Sequence, residues 1–398
     1  MNTKHIVAGV CLIGWFSGMA RPDAVPAGPV DTSVAAKPAP DPAPQRRPVD
    51  LVICLDTSGS MTALIDSARM KLWAVVNELA KAKPVPRLRV GLLTYGSPKV
   101  STAQQGWIVR QTELTADLDA VYERMMAMTT AGGDEFVGWV LHDALERMNW
   151  SDDPQALKLV FVAGNESADQ AVQVHDFRRV AEQAAARDIT INAIFAGNTR
   201  QGVAQKWQEV AEYGRGTYSA IDMQAGTVQI ATPQDELLRQ LNEQLNTTYL
   251  AFGEKGKHRQ ANQQAQDANA AQLGAESAAG RAAAKASPLY ENKEWDLVDA
   301  EKEEGFDLKQ VLLEDLPAEM QAMSLEQRQA HVKDVSARRS KLQEKIRQVG
   351  AKRDAYLQAE RKKRGDGKTS LDQAIRKTVR QQAQAKGFQF DDATGDSD

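Results

Sequence analysis

The stretch Leu51–Leu79, LVICLDTSGSMTALIDSARMKLWAVVNEL, limits the fold of this chain more than any other part of it. An apolar run stops on Asp56, Thr57, Ser58 and Ser60 crowd around Gly59, and a periodic segment follows. A short run apolar on both faces is a strand covered by helices on each side. Ile65, Leu72, Val76 and Leu79 recur at the spacing of one helix face. The stretch therefore reads as a buried strand, a tight turn permitted by Gly59, and a helix. In an open parallel sheet, ligands bind at the carboxyl ends of strands. There the turn gathers one carboxylate and two hydroxyls, from Asp56, Ser58 and Ser60. Oxygen-only donors suit a hard cation, Mg2+, Mn2+ or Ca2+, better than a thiophilic one.

The same alternation continues downstream. Further strand candidates are LRVGLLTYG from Leu88, GWIVRQTEL from Gly106, LKLVFVAG from Leu157, ITINAIFAG from Ile189 and GTYSAI from Gly216. Helical stripes lie between them, at Val137, Leu141, Ala144 and Leu145, and at Phe177, Val180, Ala181 and Ala184. Strands alternating with helices predict an α/β layered domain with a Rossmann-like, mostly parallel central sheet flanked by helices. The mixed sidedness of the Trp107 run suits an edge strand.

At this point the chain resembles the von Willebrand factor type A (VWA) family, whose metal-ion-dependent adhesion site (MIDAS) carries a D-x-S-x-S motif. DTSGSM matches it at Asp56, Ser58 and Ser60. The resemblance implies the α/β fold over roughly residues 50–222, a divalent cation and a non-enzymatic role in binding a partner protein. Two departures follow. Where the family usually has a threonine before its third helix, this loop reads TTAGGDEFVG. Asp134 stands at the expected position, and Thr129, Thr130 and Glu135 are other candidates. Where the family usually ends its fourth strand in aspartate, this one reads VFVAGNESADQ, so Gly164 replaces the acid and Asn165 or Glu166 must substitute. The GGDE and AGNE variants are similar to exported bacterial members of the family. The candidate metal set is thus Asp56, Ser58, Ser60, Asp134 and Glu166. Asp134 and Glu135 equally suit a second role as acids at a helix start near Phe136. If Asp56, Asp134 and Glu166 all faced one divalent ion, it would be over-neutralised and would attract a partner's carboxylate weakly.

The flanking regions are of another kind. Ile6 to Phe16 is an apolar core too short for a comfortable membrane span, with Gly18 and Ala20 at the small positions of a cleavage site. It predicts a signal peptide over 1–20 and export to the periplasm or cell surface, the alternative being an uncleaved anchor. Residues 21–49 are rich in proline and alanine and read as a semi-rigid tether. After the domain, 223–290 reads as a helix from Thr232 followed by a Gln/Ala-rich linker. Residues 291–319 hold eleven acids against three bases, and 324–364 hold thirteen Lys and Arg against five acids. Ser324 and Gln327 form a capping box for a long basic helix. Val332, Val335, Leu342, Ile346, Val349 and Tyr356 give it a three-four seam that Arg339 and Arg353 interrupt, a feeble coiled coil. This helix is expected to fold back on the acidic segment, and it offers anionic lipid or cell-wall polymer a basic face. Residues 365–398 read as a polar tail with a short helix, so the C-terminal region is helical and partly flexible.

The net charge of −4 gives no footing to a nucleic-acid partner. No G-x-S-x-G elbow surrounds the serines, and no phosphate loop, zinc-spaced Cys/His set or dinucleotide fingerprint is present. His142 and His175, each expected on a helix away from the strand ends, read as surface or partly packed residues. The remaining alternative is a scaffold that keeps the VWA fold without a working metal site and assembles through its C-terminal helices.

Overall fold

The computed structural model describes residues 46–98, 101–221, 230–364 and 371–390. The expected signal peptide and nearly all of the tether lie outside them. In chain order the first part runs β1 (Pro48–Asp56), α1 (Thr62–Leu79), β2 (Ala82–Lys83), β3 (Arg87–Tyr95), β4 (Val109–Thr115), α2 (Leu118–Met126), α3 (Val137–Arg147), β5 (Leu157–Gly164), α4 (Phe177–Ala186), β6 (Ile189–Ala196), α5 (Thr199–Ala204), α6 (Trp207–Tyr213) and β7 (Arg215–Ile221). Six of these strands form one sheet in the order β4-β3-β1-β5-β6-β7. All pairings are parallel except β3 with β4, so the Trp107 run supplies an antiparallel edge strand.

Alternation along β1 explains the layers. Val49, Leu51 and Leu55 point to a core shared with α1 and α2, while Val52 and Cys54 point to a core built on α3, α4 and α6. Chain order reverses at β1: the next strand, β3, lies on one side and β5 on the other. The carboxyl ends of β1 and β5 therefore flank a topological switch point, where such sheets leave a crevice.

The C-terminal half continues with α7 (Asp235–Asn246), α8 (Gly256–Gln272), α9 (Ala275–Lys285), α10 (Leu297–Ala300), α11 (Ala318–Gln321), α12 (Leu325–Arg364), α13 (Leu371–Ala385) and β8 (Gln389–Phe390). The Gln/Ala-rich stretch is helical and packed. Alanines of α9 allow close approach to α1, and the polar groups satisfy one another. Arg281 reaches Asp119 at 2.7 Å and Asp267 at 2.5 Å, Lys285 reaches Asp267 at 2.8 Å, and Gln263 bonds the Tyr290 hydroxyl at 3.1 Å. Buried polar groups are tolerated only when paired in this way.

The interrupted seam of α12 has the same explanation. Arg339 is buried because it meets Asp296 at 2.6 Å and Asp299 at 3.2 Å, and Arg353 meets Asp235 at 2.7 Å. Two seam positions carry arginine because acids of the same chain face them, the first from the acidic segment. The capping box forms, with Ser324 and Gln327 exchanging bonds. Helix α13 lies on α1 and the sheet, where Gln382 bonds Asn192 and Thr378 bonds Thr217. β8 then pairs with β2. No helix among the described residues is long and apolar enough to cross a membrane.

Candidate functional site

Asp56 closes β1 and is fully buried, facing the crevice. One of its oxygens accepts the Ser58 amide at 2.7 Å, which holds the turn; the other, Oδ2, has no hydrogen-bond partner. Thr57 turns away and bonds the Tyr95 carbonyl through both its amide and its hydroxyl. The Ser58 and Ser60 hydroxyls lie 3.3 Å apart, and Asn165 Nδ2 donates to Ser60 Oγ at 3.1 Å. The three groups of the turn and Asn165 are thus brought together at the ends of β1 and β5.

The second carboxylate of the site belongs to Glu135. It is buried within hydrogen-bond reach of Asp56, while Asp134, the residue singled out in the loop, is exposed to solvent. Consecutive residues at a helix start point in different directions, and the Gly132–Gly133 turn sets which one faces in. Gly133 lies so close to β3 that a Cβ there would stand 2.6 Å from the Gly96 carbonyl oxygen. Gly96 has φ of +80°, and a Cβ on it would stand 2.7 Å from Asp56 Oδ1. The two glycines let the loop close over Asp56. Gln170 accepts the Glu135 amide at 3.0 Å, and Thr130 bonds Thr62. Sequence spacing favoured Asp134 and offered Glu135 only as one of three other candidates, with nothing in the sequence to say which faces in.

The missing strand-end acid also has a physical reason. A Cβ on Gly164 would lie 2.5 Å from the Tyr95 hydroxyl and 3.1 Å from the Trp207 ring. Both side chains are fully buried; Tyr95 donates to the Ala163 carbonyl at 3.0 Å, and Trp207 Nε1 to the Glu166 carbonyl at 2.7 Å. Tyrosine and tryptophan fill the space an aspartate would need. Glu166 contributes its backbone to that packing, and its side chain is exposed at the rim.

Two carboxyls at one buried spot resist double ionisation. Burial raises the Asp56 carboxyl, and Glu166 adds to the rise. Burial and the neighbouring Asp56 carboxyl push Glu135 up to about 9, and Glu166 raises it further. Asp56 Oδ2, Glu135 Oε2 and Asn165 Oδ1 are buried acceptors with no donor among the described residues. Such a set is satisfied by a shared proton or by a cation. A hard divalent ion fits it: Asp56, Glu135, Ser58, Ser60 and the Asn165 amide would hold it, all through oxygen. Among the described residues no cluster of three His, Cys, Asp or Glu is arranged to hold a metal. Once both give up their protons, the two carboxyls of Asp56 and Glu135 would balance one such ion.

No family model matches the chain, and no curated protein matches it in sequence. Among solved structures, proximal thread matrix protein 1 from the mussel byssus, with a zinc-occupied MIDAS motif, aligns at 13% identity and a TM-score of 0.33. The alignment spans 45% of this chain and 43% of that one. The SpRpn10 VWA domain aligns at 15% identity and a TM-score of 0.33, over 46% of this chain and 98% of that one. The pilus adhesin SpaC from Lactobacillus rhamnosus GG aligns at 15% identity and a TM-score of 0.35, over 45% of this chain and 28% of that one. The strand order, the single antiparallel edge and the D-x-S-x-S turn at the switch point give residues 48–221 the mostly parallel α/β fold expected from the sequence.

Proposed function

We propose that this is an exported, non-enzymatic binding module that holds Mg2+ or a similar ion with Asp56, Ser58, Ser60 and Glu135 and engages a partner protein through it. The observation that carries the reading is the buried Asp56–Glu135 pair with an unpartnered oxygen on each residue. Two carboxylates balance a divalent ion, so affinity for the metal is high while the pull on a further carboxylate is modest. The partner ligand expected here is a neutral oxygen or a single weakly held acid, with Glu166 at the rim disfavouring strongly acidic partners.

The turn lies at the carboxyl end of the nine-residue strand β1, about 30 Å from Pro48 at ~3.3 Å per residue. Arg47 fixes the entry of the strand by donating to the Lys386 and Gly387 carbonyls. The signal peptide and tether expected from the sequence suit a protein anchored or released outside the cytoplasm.

The test is thermal unfolding with Mg2+, Mn2+ or chelator. The ion raises Tm in the native protein and not in Asp56→Ala; a melting curve indifferent to metal and chelator removes the mechanism. The scaffold reading draws on the exposed basic residues of α12, among them Lys341, Lys345 and Lys352. It requires that charge reversal there abolish partner capture while Asp56→Ala leaves it unchanged.

A further inference from the structure

The inward side of α12 is neutralised from within the chain, and one outward flank is not. The helix spans 40 residues, about 60 Å at ~1.5 Å per residue. Its buried arginines, Arg339 and Arg353, meet Asp296, Asp299 and Asp235. Lys341, Lys345 and Lys352 follow at i, i+4 and i+11, which puts them on one flank, with Tyr356 one turn further along. All four are exposed, and the three lysines make no ion pair among the described residues. The acids of the same stretch lie on other flanks and are engaged, Glu344 with Arg347 at 2.7 Å and Asp354 with Lys81 at 3.6 Å. The flank is a stripe of one sign.

The acidic segment leaves the opposite remainder. Leu308, Leu316 and Met320 tie it to the first turns of α12 in one cluster with Val332 and Val335, and Arg328 donates to the Met320 carbonyl at 3.0 Å. Asp296 and Asp299 are spent on Arg339. Glu301, Glu304, Glu314 and Glu319 are exposed and make no ion pair among the described residues. Among them Leu312 and Leu313 are 60% and 53% exposed. Neighbouring leucines open to solvent and rimmed by acids have the make-up of an interface, an apolar centre with a charged edge. Lys352 stands about 26 Å beyond Val335 along the helix at ~1.5 Å per residue. That is several times the ~8 Å over which salt screens charge, so these acids do not neutralise the stripe of their own copy.

We propose that the acidic segment of one copy docks on the Lys341–Lys352 flank of α12 in a second copy, with Leu312 and Leu313 seated on the helix beside Tyr356. Two copies with their α12 helices antiparallel make this contact twice, which closes a two-fold pair. A lipid surface or a polyanion would meet the lysines alone and leave the acids and leucines without a partner. A second copy uses all three. Complementary charge sets orientation and speed of association, and the leucines add buried apolar area. The Asp56 site takes no part, so the contact is independent of the metal.

Sedimentation velocity of the full chain tests this. The expected result is a monomer–dimer equilibrium at ~10–100 μM that weakens roughly tenfold or more between about 0.05 and 0.5 M NaCl, as salt screens the facing charges. The triple variant Lys341→Glu, Lys345→Glu, Lys352→Glu is monomeric. So is Glu301→Lys, Glu304→Lys, Glu314→Lys, because each sets like charges face to face. An equimolar mixture of the two restores the dimer, since each offers the other its opposite charge at both contacts. All six positions are exposed, and unchanged melting curves confirm that both variants fold. A native chain that stays monomeric overturns the proposal, and so does a mixture that fails to pair. Dimers lost in chelator or in Asp56→Ala would move the contact to the oxygen site and overturn it too. A monomer that binds phosphatidylglycerol vesicles through the three lysines would assign the stripe to a lipid surface instead.

Discussion

Strand β1 carries one buried aspartate near its start and another at its end, and the two are treated in opposite ways. Asp50 is gripped by Arg89 through two bonds, of 2.8 and 2.7 Å, and also accepts the Ser151 amide at 2.7 Å. Asp56, equally inaccessible, has one backbone donor, one unpartnered oxygen and a second carboxyl beside it. A carboxylate whose oxygens are matched by a guanidinium serves the fold. A carboxylate buried next to another acid is held in place by the rest of the structure, and it waits for a positive charge that the protein does not supply. The difference lies in partners rather than burial, since both residues are 0% exposed.

The largest effect should come from breaking the satisfied end. Asp50→Ala strands the Arg89 charge and the Ser151 amide, and removing one partner of a buried pair costs about 3 kcal/mol or more. At ~2–4 °C per kcal/mol for a domain the size of residues 48–221, Tm should fall by roughly 6–12 °C, with or without Mg2+. Asp56→Ala in chelator should leave Tm unchanged or slightly raised, because it relieves the repulsion with Glu135. If Asp56→Ala in chelator is as damaging as Asp50→Ala, the two ends do not differ and the contrast is lost.

The next effect concerns the acid that this site lacks. Gly164→Asp restores the residue the family usually carries, but its Cβ must displace Tyr95 or Trp207, both fully buried. Overpacking of this kind costs about 1–3 kcal/mol, so the variant should melt lower without binding Mg2+ more tightly. Tighter binding would mean that the pocket can repack around a third acid. This departure also marks where sequence reading stopped. Glycine at 164 was legible as an absence. Its cause was not, because Tyr95 and Trp207 converge on it from β3 and α6, distant in the chain. The sheet was legible because β1, β3, β5 and β6 are apolar runs whose own composition decides their burial. The helices of the C-terminal half were legible but their burial was not, because α8, α9 and α12 bury Gln263, Arg281 and Arg339 through partners that periodicity does not register.

A smaller effect is a pH dependence peculiar to the metal-free protein. Folded Glu135 holds its proton up to about 9, whereas the unfolded chain releases it near the ordinary 4.5. Between those values the folded state binds more protons, so stability is lost as pH rises. The raised Asp56 carboxyl has the same sign. Lys285, held down to about 8, acts in the opposite direction only above that value. In chelator, Tm should therefore decline by a few degrees from pH 5 to 8, and Glu135→Gln should flatten the decline. Mg2+ replaces the shared proton, so its stabilising effect should grow across the same range. A Glu135→Gln profile parallel to the native one would mean that the pair is not what titrates.

The smallest expected effect separates the two neighbouring acids of the loop. Asp134 is exposed and Glu135 is buried against Asp56. Asp134→Asn removes a surface charge at a helix start, a change of at most about 0.5 kcal/mol. The Mg2+ midpoint should move little, since an exposed charge is largely screened at physiological salt. Glu135→Gln removes a charge from the buried pair and should weaken Mg2+ binding much more. Isothermal titration of both variants at one ionic strength decides the matter. Equal losses would mean that the loop turns to bring Asp134 inward with the metal, so that the inner acid is selected by the ion and not by the Gly132–Gly133 turn. A loss confined to Glu135→Gln would mean that the fold alone selects it, as it does at Asp50.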